Sequence, residues 1–192
     1  MVRRKFVPCF LLCLVLGGLH AAWAQGEPAW PSNDGLFDLG PMVEDGAPEG
    51  PGSQAFLRAA GSNFAPRDRT TTFSYYGGGC MQRTSNAGDS WFTWDVQVPD
   101  GAVIDFLRVY YYDNNATFDI NAELWSFDAG GGSSLIAEAD SSGSPGYSSA
   151  GSDFFSHPVS TVNESLVVVA SVQGGVGSSL ALCGVRLRYQ VP

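Results

Sequence analysis

The sequence predicts an all-β domain, an antiparallel two-sheet sandwich of jelly-roll-like form with about 8–10 strands and one disulfide. Three observations carry this expectation. From Gln54 onward no window keeps a helical period over three turns. Short apolar alternations bounded by Gly, Asn, Asp and Ser recur instead about every ten residues, the spacing of strands that return through tight turns. Beyond residue 24 the chain holds two cysteines, Cys80 and Cys183, which an oxidising compartment would join.

The first residues predict export. Arg3, Arg4 and Lys5 precede an apolar run from Phe6 to Leu19, and Ala22-Trp23-Ala24 then offers small residues for cleavage before Gln25. The apolar run is too short for a stable membrane anchor. Arg3-Arg4-Lys5-Phe6-Val7 partly matches a twin-arginine signal, but the leucine-rich core and short charged region favour the general secretory route. Cys13 follows Leu11-Leu12, yet apolar residues continue after it, which disfavours a lipid attachment site. The expected mature chain is secreted or periplasmic, has no membrane span, and runs for 168 residues from Gln25 to Pro192, enough for one domain with a real core.

Residues 25–53 are rich in Pro and Gly, with six acids, no base and no sustained period, so they read as a flexible acidic leader. Gly35-Leu36-Phe37-Asp38-Leu39 is their one apolar patch. The organisation predicted is thus 1–24 signal, 25–53 leader and 54–192 sandwich. After the signal the chain has seven arginines and no lysine against 19 acids, a net charge of −12. That balance disfavours nucleic acid and anionic membranes, which need a cationic face to displace counterions.

Strands are expected near Ala55–Ala60, Thr70–Tyr76, Cys80–Thr84, Trp91–Val98, Val103–Tyr112, Thr117–Phe127, Ser134–Asp140, Phe154–Thr161, Ser165–Val172 and Leu180–Gln190. In Trp91–Val98, Phe92, Trp94, Val96 and Val98 share one face and Thr93, Asp95 and Gln97 the other, and Pro99-Asp100-Gly101 supplies a turn. Asp105 and Arg108 have opposite parity, so a regular strand would bury one charge; a bulge near Phe106 resets the alternation. Thr117–Phe127 places Phe118, Ile120, Ala122 and Leu124 inside and Asp119, Asn121, Glu123 and Trp125 outside. Ser165–Val172 is apolar on both faces, as a central strand would be. The last strand turns Ala181, Cys183, Val185, Leu187 and Tyr189 inward and Arg186 and Arg188 outward, which suits a bridge to the Gly77-Gly78-Gly79-Cys80 turn. In the chain-entropy model such a bridge, closing about 100 residues, stabilises by at most roughly 4.7 kcal/mol.

The segments GGGC, VPDGAVIDFLRVYYYD and LCGVRLRYQVP together resemble a β-sandwich domain of uncharacterised secreted bacterial proteins, over about Ala55 to Pro192. The resemblance implies the fold and transfers no catalytic or binding residue.

Chemistry is thinly supplied. Nucleophilic catalysis needs a base, and the only histidine after the signal, His157, precedes Pro158 and reads as a solvent-facing turn residue; no GxSxG elbow is present. One histidine and two bridged cysteines leave too few ligands for zinc. Asp113, Asp119, Glu123, Asp128 and Glu138 are the carboxylates a glycosidase could pair. Asp113-Asn114-Asn115 with Asp119 and Asn121 is rich in hard oxygen, but a hairpin turn explains it without calcium, since no DxDxDG loop is present. Asn115-Ala116-Thr117 and Asn163-Glu164-Ser165 match the glycosylation acceptor pattern, which arises often by chance. No catalytic residue, metal ligand or cofactor is therefore expected. The candidate ligand-binding row is Asp119, Asn121, Glu123 and Trp125, an aromatic with polar neighbours that suits sugar rings. The function expected is a secreted non-catalytic structural or interaction module whose partner is a glycan or another cell-surface protein. A carbohydrate-binding module using exposed aromatics is the first alternative, and a glycosidase-type enzyme the second.

Overall fold

The computed structural model describes residues 52–141, 146–174, 176–177 and 179–192. The segments expected as signal (1–24) and acidic leader (25–53), except Gly52 and Ser53, lie outside the described residues. Among the described residues there are twelve strands: β1 (Gln54–Ala60), β2 (Ala65–Pro66), β3 (Phe73–Tyr75), β4 (Met81–Arg83), β5 (Trp91–Val96), β6 (Val103–Asp113), β7 (Ile120–Asp128), β8 (Ser133–Asp140), β9 (Gly146–Gly151), β10 (His157–Pro158), β11 (Glu164–Val172) and β12 (Leu180–Gln190). The one helical turn among the described residues is 3₁₀, at Gly61–Asn63. No helix among the described residues is long and apolar enough to cross a membrane.

The strands form two antiparallel sheets, as expected. One has seven strands in the order β10-β6-β12-β4-β3, with β1 added on β12 and β9 on β6. The other has five, in the order β2-β5-β11-β7-β8. Side-chain alternation along every long strand sends one set between the sheets. Ile104, Leu107, Val109 and Tyr111 of β6 and Leu182, Val185 and Leu187 of β12 meet Phe92 and Val96 of β5, Ile120, Ala122 and Leu124 of β7, and Leu166, Val168 and Ala170 of β11. Nearly all of these are fully shielded from water. Removing a ring such as Phe92 from this layer would cost roughly 3–5 kcal/mol in lost transfer energy and residual cavity.

The bulge near Phe106 is present. Arg188 pairs with Phe106 and Tyr189 with Ile104, so Asp105 is the extra residue in β6. Both charges thereby leave the core, and Asp105 Oδ1 accepts a hydrogen bond from Arg188 Nε at 2.7 Å. The Pro99–Ala102 turn also forms, closed by the Ala102 N–H on the Pro99 carbonyl. The Cys80–Cys183 disulfide spans 103 residues. Gly61 is explained by close approach, because a Cβ there would overlap the Leu182 carbonyl where β1 runs into the 3₁₀ turn.

Five expectations are corrected. Cys183 does not continue the inward parity of β12: a second bulge between Leu182 and Gly184 resets it, so Leu182 faces the core and Cys183 is half-buried. Phe118 precedes β7 and is exposed, since the turn before the strand carries it out of the core. The segment Phe154–Thr161 supplies a strand only at His157–Pro158, where it pairs with Ile104 and Val103. Gly146–Gly151 is a strand that alternation could not reveal, because GYSSAG has no apolar face; its order comes from six pairings along β6. The two-residue β2 was likewise unforeseen, which brings the strand number above the range expected.

Candidate functional site

The outer face of the five-stranded sheet holds Asn121, Glu123 and Trp125 of the expected row, and Asp119 lies before β7. Register lays its residues out in lines across β5, β11, β7 and β8. Trp91, Ser171, Asn121 and Asp140 form one line. Thr93, Val169, Glu123 and Glu138 form the next, and Asp95, Val167, Trp125 and Leu135 the third. Ser165, Phe127 and Ser133 end the face. Strand period alone puts Asn121, Glu123 and Trp125 on one side, because Ile120, Ala122 and Leu124 fill the core.

The four candidate residues differ in what they have free. Asp119 lies just before β7, and its Oδ1 accepts a 3.3 Å hydrogen bond from Ser141 Oγ. That hydroxyl also donates to Asp113 Oδ2 at 2.6 Å, so both carboxylates serve to pin the entrance of β7. Asn121 is buried by its neighbours and donates from Nδ2 to Asp140 Oδ1 at 2.7 Å. Glu123 Oε2 accepts the indole N–H of Trp125 at 2.7 Å. That bond fixes the ring, which stacks on Phe127 with 6.4 Å between centroids and 29° between planes. Asn121 and Asp119 are therefore supports, while Glu123 and Trp125 reach the open surface.

Sequence reading missed Phe127 and Leu135, which extend the apolar surface beside Trp125 and are 39% and 45% exposed. A bulge in β8 is the reason for the second. Register shifts between Leu124 and Trp125, so Ile136 is the extra residue and Leu135 turns outward beside Trp125. Phe127 could have been found by continuing the parity of β7 two residues further.

Charge on this face is one-sided. Asp95, Glu123, Glu138 and Asp140 stand in the four lines with no arginine among them. Glu123 and Glu138 are direct cross-strand partners, an arrangement that costs stability. Asp95 and Glu138 are exposed, and their side chains make no hydrogen bond or ion pair among the described residues. The Trp91 end differs, since Arg67 lies over that ring at 5.4 Å and is itself paired with Asp89 at 2.8 Å. Where β5 ends and β11 begins, a groove of about 290 Å³ opens beside the face, lined in part by Asp95, Gln97, Thr161, Glu164 and Ser165.

The other chemistry-bearing residues are structural in position. His157 is half-buried rather than solvent-facing, with Nε2 3.0 Å from Glu164 Oε1. Asp128 Oδ1 accepts the Gly130 and Gly132 N–H groups and so shapes the β7–β8 turn. Asp113 Oδ1 accepts the Asn115 N–H, and Asn115 Oδ1 accepts those of Thr117 and Phe118, the bonding of a turn built on Asx side chains. Among the described residues no three His, Cys, Asp or Glu side chains are grouped to hold a metal ion.

No family model matches the chain, and no curated protein does. Solved structures with a similar fold include a Clostridium thermocellum endo-1,4-β-D-xylanase with CBM22-1 and GH10 modules complexed with xylohexaose. It has 9% identity, covers 69% of this chain and 27% of that one, and has a TM-score of 0.48. The C-terminal CBM6 of LamC, a marine laminarinase from Zobellia galactanivorans, has 9% identity over 69% of this chain and 98% of its own, with a TM-score of 0.44. A Podospora anserina GH26-CBM35 β-(1,4)-mannanase has 11% identity over 71% and 28%, with a TM-score of 0.43. The chain thus spans about a quarter of the length of the xylanase and the mannanase. At these identities and TM-scores the likeness carries no argument about ligand or activity.

Proposed function

We propose that this β-sandwich is a non-catalytic interaction module that binds an uncharged polysaccharide on the outer face of its five-stranded sheet. One observation carries the reading: the Trp125–Phe127 stack, with the indole fixed by Glu123, lies beside carboxylates that have free acceptor oxygens. A pyranose ring has an apolar C–H face and a rim of hydroxyls. The first packs on an aromatic surface and the second donate to carboxylates, so the two ligand edges match the two components of this face. Four acids in lines that hold no arginine, with Arg67 at the Trp91 end paired to Asp89, repel polyanions, which favours a neutral polymer.

Glu123 and Glu138 invite a glycosidase reading, since opposed side chains on neighbouring strands are close. Glycosidic cleavage, however, needs its two carboxyl groups to flank the scissile bond. Here both project from one open sheet face toward the same side of any ligand, and Glu123 is committed to an indole. Their role in this reading is to accept hydrogen bonds from sugar hydroxyl groups.

Affinity electrophoresis through gels containing xylan, mannan, mixed-linkage glucan or dextran tests the proposal. Retardation is expected in at least one gel and is lost in Trp125→Ala and in Phe127→Ala, with no new reducing ends on prolonged incubation. Unretarded migration in all four would overturn it in favour of a protein partner, and release of reducing ends would overturn its non-catalytic part.

A further inference from the structure

The opposite face of the sandwich has a different chemistry, and it is also set by register. On the outer side of the seven-stranded sheet, Arg58 of β1 stands opposite Arg186 of β12, and Arg186 opposite Arg108 of β6. Three arginines thus form one line across three adjacent strands, about 4.8 Å from strand to strand. Arg188 follows in the next line, between Phe56 and Phe106. Four of the seven arginines beyond the signal segment are gathered here, in a chain whose net charge is otherwise strongly negative. Like charges directly opposite one another oppose folding, so their mutual opposition does not stabilise the sheet.

The guanidinium groups are held in place by rings. Arg186 lies 5.0 Å from the Phe56 centroid and Arg108 5.6 Å from that of Phe106. Arg188 lies 5.7 Å from Phe106 and 4.9 Å from Phe154. Stacking uses the flat face of the guanidinium and leaves its in-plane N–H fork for an acceptor. Gly151, opposite Arg108 on β9, makes room for the Phe106 ring, which a Cβ there would strike. Arg108 Nε is buried without a hydrogen-bond partner, and its Nη1 has only a long 3.5 Å contact to Ser149 Oγ. Arg188, by contrast, has a carboxylate, that of Asp105 at 2.7 Å. Burial, and then the charges of Arg108, Arg58 and Arg188, hold the Arg186 pKa below its usual value, against the opposite pull of Tyr110. Beyond the arginine lines, Tyr112 contacts Tyr76 and Tyr147, with centroids 5.7 and 4.9 Å away.

We infer that this face is a second binding surface, for a polysaccharide that bears carboxylate groups. Asp105 on Arg188 shows on this same face what a ligand carboxylate meets, and Arg108 and exposed Arg58 offer the same fork. Half-buried tyrosines at one end and phenylalanines at the other give pyranose rings apolar surface between charged contacts. A neutral polymer would leave exposed Arg58 and the Nε of Arg108 without a carboxylate, whereas a polyuronate supplies both charge and pyranose rings. The sandwich then carries two ligands of opposite character on opposite faces.

Polygalacturonate is the probe, titrated into the purified chain, with polyglutamate and oligo-dT of matched charge as controls. Binding to polygalacturonate is expected to weaken as salt rises. The Arg58→Gln/Arg108→Gln variant should weaken it about tenfold or more, the loss of one or two charge-assisted hydrogen bonds. Arg58 is exposed, so Arg58→Gln alone should fold normally and weaken binding by a smaller factor. Trp125→Ala should leave it unchanged, which keeps this inference separable from the neutral-glycan reading. Unchanged affinity in the arginine variants, or equal affinity for polyglutamate or oligo-dT, would overturn the inference.

Discussion

The two outer faces of the sandwich are built by the same device and end with opposite chemistry. On the five-stranded sheet, Glu123 faces Glu138 across a strand pair and no arginine stands in the lines. On the seven-stranded sheet, Arg58, Arg186 and Arg108 face one another in sequence. Each face places aromatic rings beside its charges, an indole bonded to a carboxylate on one and phenyl rings under guanidinium groups on the other. The comparison teaches that net charge describes this molecule poorly. Beyond residue 24 a net charge of −12 disfavours anionic partners for that part of the chain, yet four of its seven arginines occupy one surface. It also shows what neither sheet needs for its own stability, because opposed like charges work against both.

The largest expected effect on the comparison comes from the bridge that fixes the basic face. Cys183 sits in a bulge of β12 and ties that strand to the turn before β4. Replacing Cys80 and Cys183 together by Ser should lower unfolding free energy by about 2–4 kcal/mol in denaturant melts. A loss confined to a few tenths would mean that the sheet is held by strand pairing alone.

Next comes Trp125. Its ring is half-buried, so Trp125→Ala should cost about 1–2 kcal/mol, less than the roughly 3–5 kcal/mol of a core tryptophan. A larger cost would show that the indole supports the sheet rather than a ligand. Smaller still is the relief of like charge. Glu138→Gln on one face and Arg58→Gln on the other should each stabilise the fold by roughly 0.2–1 kcal/mol. Destabilisation by either change would reveal a partner for that side chain and weaken the parallel between the faces.

Smallest is a titration at the tyrosine end of the basic face. Burial, followed by Tyr76 and Tyr112, raises the pKa of Tyr147 above its ordinary value of 10.0. A raised pKa means that the folded state favours the neutral phenol. Its contribution is complete below pH 10 and is lost as pH rises through the folded-state value. Stability measured by urea midpoint should therefore fall above pH 10, and Tyr147→Phe should remove part of that fall.

How legible the faces were in the sequence depended on whether one strand or several had to be read. Asp105 was placed correctly because its parity against Arg108 within one strand demanded a bulge. The Cys80–Cys183 pair was readable because no other cysteine lies beyond residue 13. The row Asn121, Glu123, Trp125 followed from the apolar alternation that opposes it. The arginine line could not be read this way, because it depends on the mutual register of β1, β12 and β6, which lie far apart in the chain. Leu135 was hidden by a bulge that no charge announced. Strand β9 was hidden because serine and glycine carry no pattern, and β6 supplies its order.

A crossed titration tests most directly that the two faces are separate binding surfaces. Wild type, Trp125→Ala and Arg58→Gln/Arg108→Gln are each titrated with polygalacturonate and with the neutral polysaccharide that retards wild type most. Each variant should lose affinity for one ligand and keep the other: the tryptophan variant for the neutral polymer, the arginine variant for the polyuronate. Loss of both ligands in either variant, or loss of neither in both, would contradict the account.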